Sequence, residues 1–290
     1  MNTYQKVTER IIELLKQGVC PWRKAWVSTP AINFVSRKPY SILNQFLLNK
    51  GGEWLTFNQI RELGGHLHAG AKGGMVVFFK FVDKEDEQTG ERVRYPLLRF
   101  YHVFHIDDCD GIESRIEMPG DTKEFNPILA CDLAVEDYIH RGGPSLEFDD
   151  GFGGAYYSPS ADKVVVPSKR RFSSEGEYYS TLFHEMIHST GADSRLNRGL
   201  AGYTAHNRKN YSREELVAEI GSSMLLAKYG VDDADTMQNN AAYIAGWLRA
   251  LQNDDHMIVV CATQSEKAVK YFLGELDAPE EASSDLCNQS

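Results

Sequence analysis

Residues 184–188 of this 290-residue chain read His-Glu-Met-Ile-His. On a helix, positions i and i+4 lie on one face a turn apart, so His184 and His188 can present two imidazoles to one Zn²⁺. Glu185 follows the first imidazole and sits beside the metal, where it can take a proton from a zinc-bound water and pass it to a leaving amine. Zinc lowers the pKa of that water to about 7, so hydroxide is available at neutral pH. Multiplying residue frequencies gives about 0.02 chance matches in a chain of this composition, so the pattern is specific. Leu182, Phe183, Met186 and Ile187 are apolar. They place the helix in a core, where two histidines and a glutamate need partners. The expectation is one Zn²⁺ per chain, with Glu185 as the catalytic base.

A catalytic zinc site needs a third protein ligand and an open fourth position. Candidates lie in Glu214-Glu215-Leu216-Val217-Ala218-Glu219, on a helix expected to open at Ser212. Glu215 and Glu219 share a face, and Glu214 is expected to point away from it. The spacing resembles the gluzincin arrangement, in which a glutamate ligand precedes by one turn an acidic residue that hydrogen-bonds a ligand histidine. That resemblance implies that Glu215 binds the metal and that Glu219 orients His184 or His188 from behind. Two alternatives stand beside it: Glu219 as the ligand, or Glu215 as the third residue of a capping box opened by Ser212. Tyr156, Tyr203, His206 and Tyr211 are candidates to steady an oxyanion or touch substrate.

The elements that must position these residues follow from pattern. Ser174-Glu175-Gly176-Glu177 is a capping-box pattern opening the histidine helix, and Gly191 closes it. Upstream, Gly154 to Ser158 and Lys163 to Pro167 read as two short strands, fit for the edge of a zincin-type sheet that could hold an extended peptide. Helices are expected at Ile128 to His140, Ser212 to Gly230, Ala241 to Leu251 and Ser265 to Leu276. In the first half, helices are expected at 3–17, at Ser41 to Asn49, and from an N-cap at Thr56 to Gly64-Gly65. Strands are expected at Met75 to Val82 and Arg92 to Ile106, with Pro96 marking the second as irregular or at an edge. The fold class expected is α+β. A small N-terminal α+β domain (1–115) is joined by a linker (116–125) to the metallopeptidase domain (126–277), and an acidic tail (278–290) is expected to be disordered.

Charge divides along the chain. Residues 1–110 hold 15 Lys and Arg against 12 Asp and Glu, and the remainder hold 16 against 29. The acidic half should not itself attract nucleic acid, whereas the first half could. That half interleaves aromatics with basic and amide residues: Trp22, Arg23, Lys24, Trp26, Asn33, Arg37, Lys38, Tyr40, Asn44 and Trp54, with Lys72 in a glycine-rich stretch. Stacking on aromatics beside cations is how single-stranded nucleic acid is held, while buried tryptophans in a small core are the competing explanation. The five cysteines are scattered and form no C-x-x-C pair, as expected for free thiols in a reducing compartment. No apolar run is long enough for a bilayer and no signal-peptide pattern opens the chain, so a cytoplasmic protein without membrane partners is expected.

Taken together, these residues are similar to the ArdC-type antirestriction proteins of conjugative plasmids and other mobile elements. The N-terminal likeness rests on Pro21-Trp22-Arg23, Trp26, Asn33, Arg37-Lys38-Pro39-Tyr40, Asn44 and Trp54-Leu55-Thr56-Phe57. The C-terminal likeness rests on Tyr157-Ser158-Pro159, Leu182-Phe183-His184-Glu185, His188-Ser189-Thr190-Gly191, Ser194-Arg195-Leu196, Glu214 to Glu219 and Ala242 to Leu248. It covers residues 3–276; Gly246 stands where relatives are expected to carry Ser. The resemblance implies an N-terminal single-stranded-DNA-binding domain and a C-terminal metallopeptidase domain. Its implied role is to coat incoming DNA and protect it from the host restriction machinery, with a protein or peptide substrate still to be identified. A DNA-binding protector with purely structural zinc, and a peptidase cleaving a DNA-associated repressor, are the alternatives.

Overall fold

The computed structural model describes residues 1–23, 30–85, 92–116, 127–151, 154–200, 208–231 and 241–276. The expected linker at 116–125 and tail at 278–290 therefore fall almost wholly outside the described residues. Backbone contacts divide the chain into two compact units, Met1–Lys123 with Asn239–Val259, and Glu124–Gln238 with Val260–Ser290. Mixed helix and sheet occur in both, as an α+β class requires. Among the described residues, no helix is long and apolar enough to cross a membrane.

In the first unit, α1 (Thr3–Lys16) is opened by a full capping box between Asn2 and Gln5 and buries Val7, Ile11, Leu14 and Leu15. Helix α2 (Ile42–Leu48) ends on Asn49, whose left-handed conformation closes it. Strands β1 (Ala31–Asn33), β2 (Gly52–Thr56), β5 (Arg92–His105) and β4 (Gly74–Glu85) lie in that order, β1 parallel to β2 and the rest antiparallel. Thr56 caps α3 (Phe57–Glu62) reciprocally with Gln59. A two-stranded ribbon joins β3 (His66–Leu67) to β6 (Cys109–Asp110). β5 is continuous through Pro96, because β2 pairs only with Val103 to His105 and leaves β4 as the sole strand neighbour at Pro96. A residue without an N–H can sit where a ladder has only one side.

The segment Ala241–Gln252, α7, which the sequence reading placed within 126–277, clusters by backbone contacts with this first unit. The reason is packing. The fully buried indole of Trp22 meets Phe46 and Trp247 edge-on, with centroids 6.2 and 6.1 Å away. Thr8 Oγ1 also donates to the Asp255 carbonyl at 2.8 Å.

In the second unit, α4 (Pro127–His140) is followed by a sheet ordered β7 (Ser145–Phe148), β9 (Lys163–Val166), β8 (Tyr156–Ser158). β7 runs parallel and β8 antiparallel to β9. Of the two strands expected at an edge, β8 is there and β9 is central; β7, short and mixed in character, was not foreseen. Helix α5 (Glu175–Ser189) packs on this sheet and on α6 (Arg208–Tyr229). Gly221 permits close approach of the two helices, since a Cβ there would sit 2.9 to 3.0 Å from the Ile187 side chain. Helix α8 (Met257–Phe272) begins eight residues before the expected Ser265. Ser265 Oγ donates to the Val217 carbonyl of α6 at 3.0 Å.

Candidate metal centre

Helix α5 is capped as its sequence suggests on one side only. Ser174 Oγ accepts from the Glu177 N–H at 3.1 Å, but the Glu177 carboxylate turns back to the N–H and hydroxyl of Ser173. Tyr178, Tyr179, Leu182, Phe183, Met186 and Ile187 are buried. The remaining face carries His184, Glu185 and His188 into a hollow of about 330 Å³ lined also by Ala155, Tyr156, Tyr157, Pro159, Leu200, Glu214 and Glu215.

His184 Nε2 and His188 Nε2 lie 3.1 Å apart. Glu215 Oε2 is 3.4 Å from the first and Glu215 Oε1 is 3.7 Å from the second. Among the described residues, these three form the one group whose His, Cys or carboxylate atoms could close on an ion, all within 4.8 Å of one another. Because the Glu214 carboxylate can only accept, His188 Nδ1–H donates to it at 3.1 Å. In the neutral ring that leaves the Nε2 lone pair of His188 turned toward His184. Two converging imidazole nitrogens with a carboxylate across from them suit a divalent cation better than they suit one another. Burial alone would lower the His184 pKa, but the hydrogen bond it donates to Glu215 and the charges of Glu185, Glu219 and Glu215 outweigh it and raise it. The bowl is anionic, as a cation requires.

The sequence pattern misjudged one acidic position, Glu214, and the capping alternative for Glu215 falls away. Helix α6 starts at Arg208, a turn before Ser212, so Ser212 is interior and Glu215 is not its capping-box partner. Glu214 does not point away. It is 4% exposed and reaches the outer nitrogen of His188 while its neighbour Glu215 reaches the inner one. The two rotate about 100° apart on α6, and an imidazole offers nitrogens on opposite sides, so adjacent carboxylates can serve both. Burial would raise the Glu214 pKa, but His188 and Arg198 hold it below the usual carboxylate value. The charge of Glu219 is among those that raise the His184 pKa.

Tyr156 lines the hollow. Its neighbour Tyr157 also lines it, but the Tyr157 hydroxyl donates to Asp162 at 2.8 Å and accepts from Arg195 at 3.2 Å. Burial pushes that phenol well above its ordinary pKa. Tyr203 and His206 lie outside the described residues, as does the side chain of Tyr211.

The residues expected to bind DNA divide. Trp22 and Trp54 are core residues with no ring face to offer a base. Trp54 packs with Ala31, Leu48, Val76 and Val103. Asn44 is buried and brackets Val77, accepting from its N–H at 2.7 Å and donating to its carbonyl at 2.9 Å. Asn33 Oδ1 accepts from Val35 N and Ser36 N, holding a turn. Arg37 pairs with the buried Glu53, and Tyr40 packs against the core, its pKa raised to about 12 by burial. Lys38 and Lys72 are exposed. Lys24, Trp26 and the side chain of Arg23 lie outside the described residues. Unforeseen was the exposed face of the sheet: Phe78 and Tyr101, diagonal neighbours across β4 and β5, meet at 5.6 Å edge to face, 43% and 37% exposed, with Lys80 and Arg99 exposed on the same face. Strand alternation could have paired them, but not before the register was known.

Fold and site together define a two-part protein whose second part is a zincin-like metallopeptidase domain. Residues 134–264 match the zincin-like metallopeptidase family model, and residues 1–104 match the N-terminal domain of anti-restriction factor ArdC. The crystal structure of antirestriction ArdC protein from R388 plasmid in its metal-free form is similar at TM-score 0.72 and 33% identity, over 96% of this chain and all of that one. Its Mn(II)-bound form is similar at 0.72 and 32%, over 94% and 98%. The Sinorhizobium fredii protein y4eC is 31% identical over 93% of this chain and 91% of its own length. Two Escherichia coli proteins named DNA primase TraC are 32% and 30% identical over 93% of this chain, which spans 27% and 20% of their lengths. The chain belongs to the ArdC family of antirestriction proteins.

Proposed function

We propose that this protein is a zinc-dependent peptidase that works at single-stranded DNA and shields DNA entering a host from restriction. The observation that carries the peptidase half is the convergence of His184, His188 and Glu215 within 4.8 Å in a hollow also lined by Glu185. His184, His188 and Glu215 would hold the metal. Zn²⁺ bound there would lower the pKa of a coordinated water to about 7 and polarise the scissile carbonyl. Glu185 accepts the proton of the attacking water and returns it to the leaving nitrogen. The oxyanion needs a donor, and Tyr156 is the described candidate, beside Tyr203, His206 and Tyr211. The Tyr157 hydroxyl, held between Asp162 and Arg195, instead supports the wall of the hollow. A chain carrying Glu185→Gln should retain metal at wild-type stoichiometry and lose hydrolysis by about 10²- to 10⁴-fold. Comparing cellular proteomes with wild type and Glu185→Gln would name the peptide substrate. Identical proteomes, with protection of DNA intact in both, would favour a non-catalytic role for the metal.

The DNA half is supported by the basic first half of the chain and by the aromatic pair on the sheet. Phe78 and Tyr101 offer exposed rings for stacking, and Lys80 and Arg99 on the same face match the charge of a nucleic-acid backbone. Exposed Lys38 and Lys72 can add to that field. Binding of an oligonucleotide to the full chain should weaken with salt and favour single strands over duplex. Equal affinity for duplex would overturn this half of the proposal.

A further inference from the structure

Outside the metal-facing atoms, one buried arginine bridges Glu214 of α6 to the end of α5. Arg198 Nε donates to Glu214 Oε2 at 2.9 Å and Nη2 to Glu214 Oε1 at 2.7 Å, a two-pronged pair with both side chains at 6% and 5% exposure. The same Nη2 donates to the Ile187 carbonyl at 2.8 Å, and Nη1 donates to Thr190 Oγ1 at 2.8 Å. Ile187 and Thr190 lie on either side of His188 at the end of α5, where the Ile187 carbonyl has only the tighter i+3 backbone bond from the Thr190 N–H at 3.1 Å. The guanidinium thus grips the terminus that carries His188 and, through Glu214, the carboxylate that sets its ring. A second observation points the same way. A Cβ on Gly191 would lie 2.8 to 3.0 Å from three guanidinium atoms of Arg198. The φ of Gly191 is not among the positive ones, so backbone freedom does not demand glycine there. Space for the guanidinium does.

We infer that Arg198 is the positioning residue of the metal centre, acting through Glu214 on His188, and that Gly191 is glycine to seat it. The inference rests on the metal-site reading above. A carboxylate that holds an imidazole by its outer nitrogen fixes the tautomer and raises the basicity of the inner one. Glu214 can do so only if its own buried charge is balanced, and Arg198 is the cation that balances it. A guanidinium fork matches both carboxylate oxygens, which a lysine ammonium cannot.

The test uses the full chain and Zn²⁺ alone, with affinity measured by competition against a chromophoric chelator. The visible absorption of the Co²⁺-loaded protein reports ligand geometry, and melting in excess chelator reports the stability of the metal-free fold. Arg198→Met and Glu214→Gln should each weaken Zn²⁺ binding by roughly 10- to 100-fold and change the Co²⁺ spectrum. Arg198→Lys should recover only part of the loss. Gly191→Ala should act in the same direction by less, and should add nothing once Arg198→Met is present, because both remove one contact. Should Arg198→Met fail to fold, Glu214→Gln and Gly191→Ala decide the matter by the same readouts. Wild-type affinity and an unchanged Co²⁺ spectrum in folded variants would overturn the inference. So would a lower metal-free melting temperature with affinity intact, which would make Arg198 a helix clamp only. A wild-type chain that takes up no stoichiometric metal would overturn the metal-site reading and this inference together.

Discussion

At the scale of single residues, the site and the sheet face make opposite demands that mutation can separate. His184→Ala removes one of two converging nitrogens and should abolish stoichiometric metal binding, measured by metal analysis after gel filtration. In the first unit, Trp54→Ala should cost about 3–5 kcal/mol of stability, because its ring fills the core between Leu48 and Val103. Phe78→Ala should leave the melting temperature nearly unchanged and weaken single-strand binding by about 1–3 kcal/mol per stacked base. Fluorescence titration beside thermal melting distinguishes the two, and the reverse pattern would return Trp54 to the role its sequence context suggested. Asp162 supplies a pH test. Hydrogen bonding from Arg195 is the largest cause holding its carboxyl below the usual aspartate value. A depressed folded pKa stabilises above the unfolded pKa and is lost as pH falls through the folded one. The stability gap between wild type and Asp162→Asn, read from urea midpoints, should therefore be full near neutrality and shrink below about pH 4.

At the scale of elements, caps and close approaches decide where the chemistry sits. Ser174→Ala strips the cap of α5 and should cost about 1 kcal/mol, seen as a lowered melting temperature. Gly221→Val would push α5 from α6 through Ile187. Since His184 and His188 ride on one helix and Glu215 on the other, that change should weaken metal binding as well as stability, and metal affinity unchanged in a destabilised variant would refute the link. The early start of α6 at Arg208 illustrates why an interior serine misled. Ser212 with Glu215 satisfies a capping pattern in one dimension, but Ser212 here is already inside the helix, and Glu215 turns to the histidines instead.

At the scale of the whole molecule, the return of α7 to the first unit governs how DNA binding can be tested. Trp22 loses Trp247, and Thr8 loses the Asp255 carbonyl, in any fragment ending near residue 116. Such a fragment should melt at lower temperature and less cooperatively than the same residues joined to 241–259 by a short linker. Equal melting would show the segment to be dispensable. DNA affinity belongs to the full chain for this reason, and its logarithm should fall linearly with the logarithm of salt concentration.

The sequence by itself determined the candidate metal-binding pattern. His184, Glu185 and His188 share a face through helical periodicity alone, and the elements around them follow from caps and alternation that act over a few residues. Glu215 was reachable as the candidate third ligand because a catalytic zinc site needs one and acidic residues stood on a second helix. Tertiary structure alone decided the rest, since each remaining assignment depends on which distant groups meet. Glu214 could be recognised as the partner of His188 only when α6 lay against α5. Arg198 and Gly191 acquired meaning only when a loop returned to the helix end. Trp22, Trp54 and Asn44 proved structural, and Phe78 and Tyr101 became a surface, only when the strand register placed one set inside and the other out.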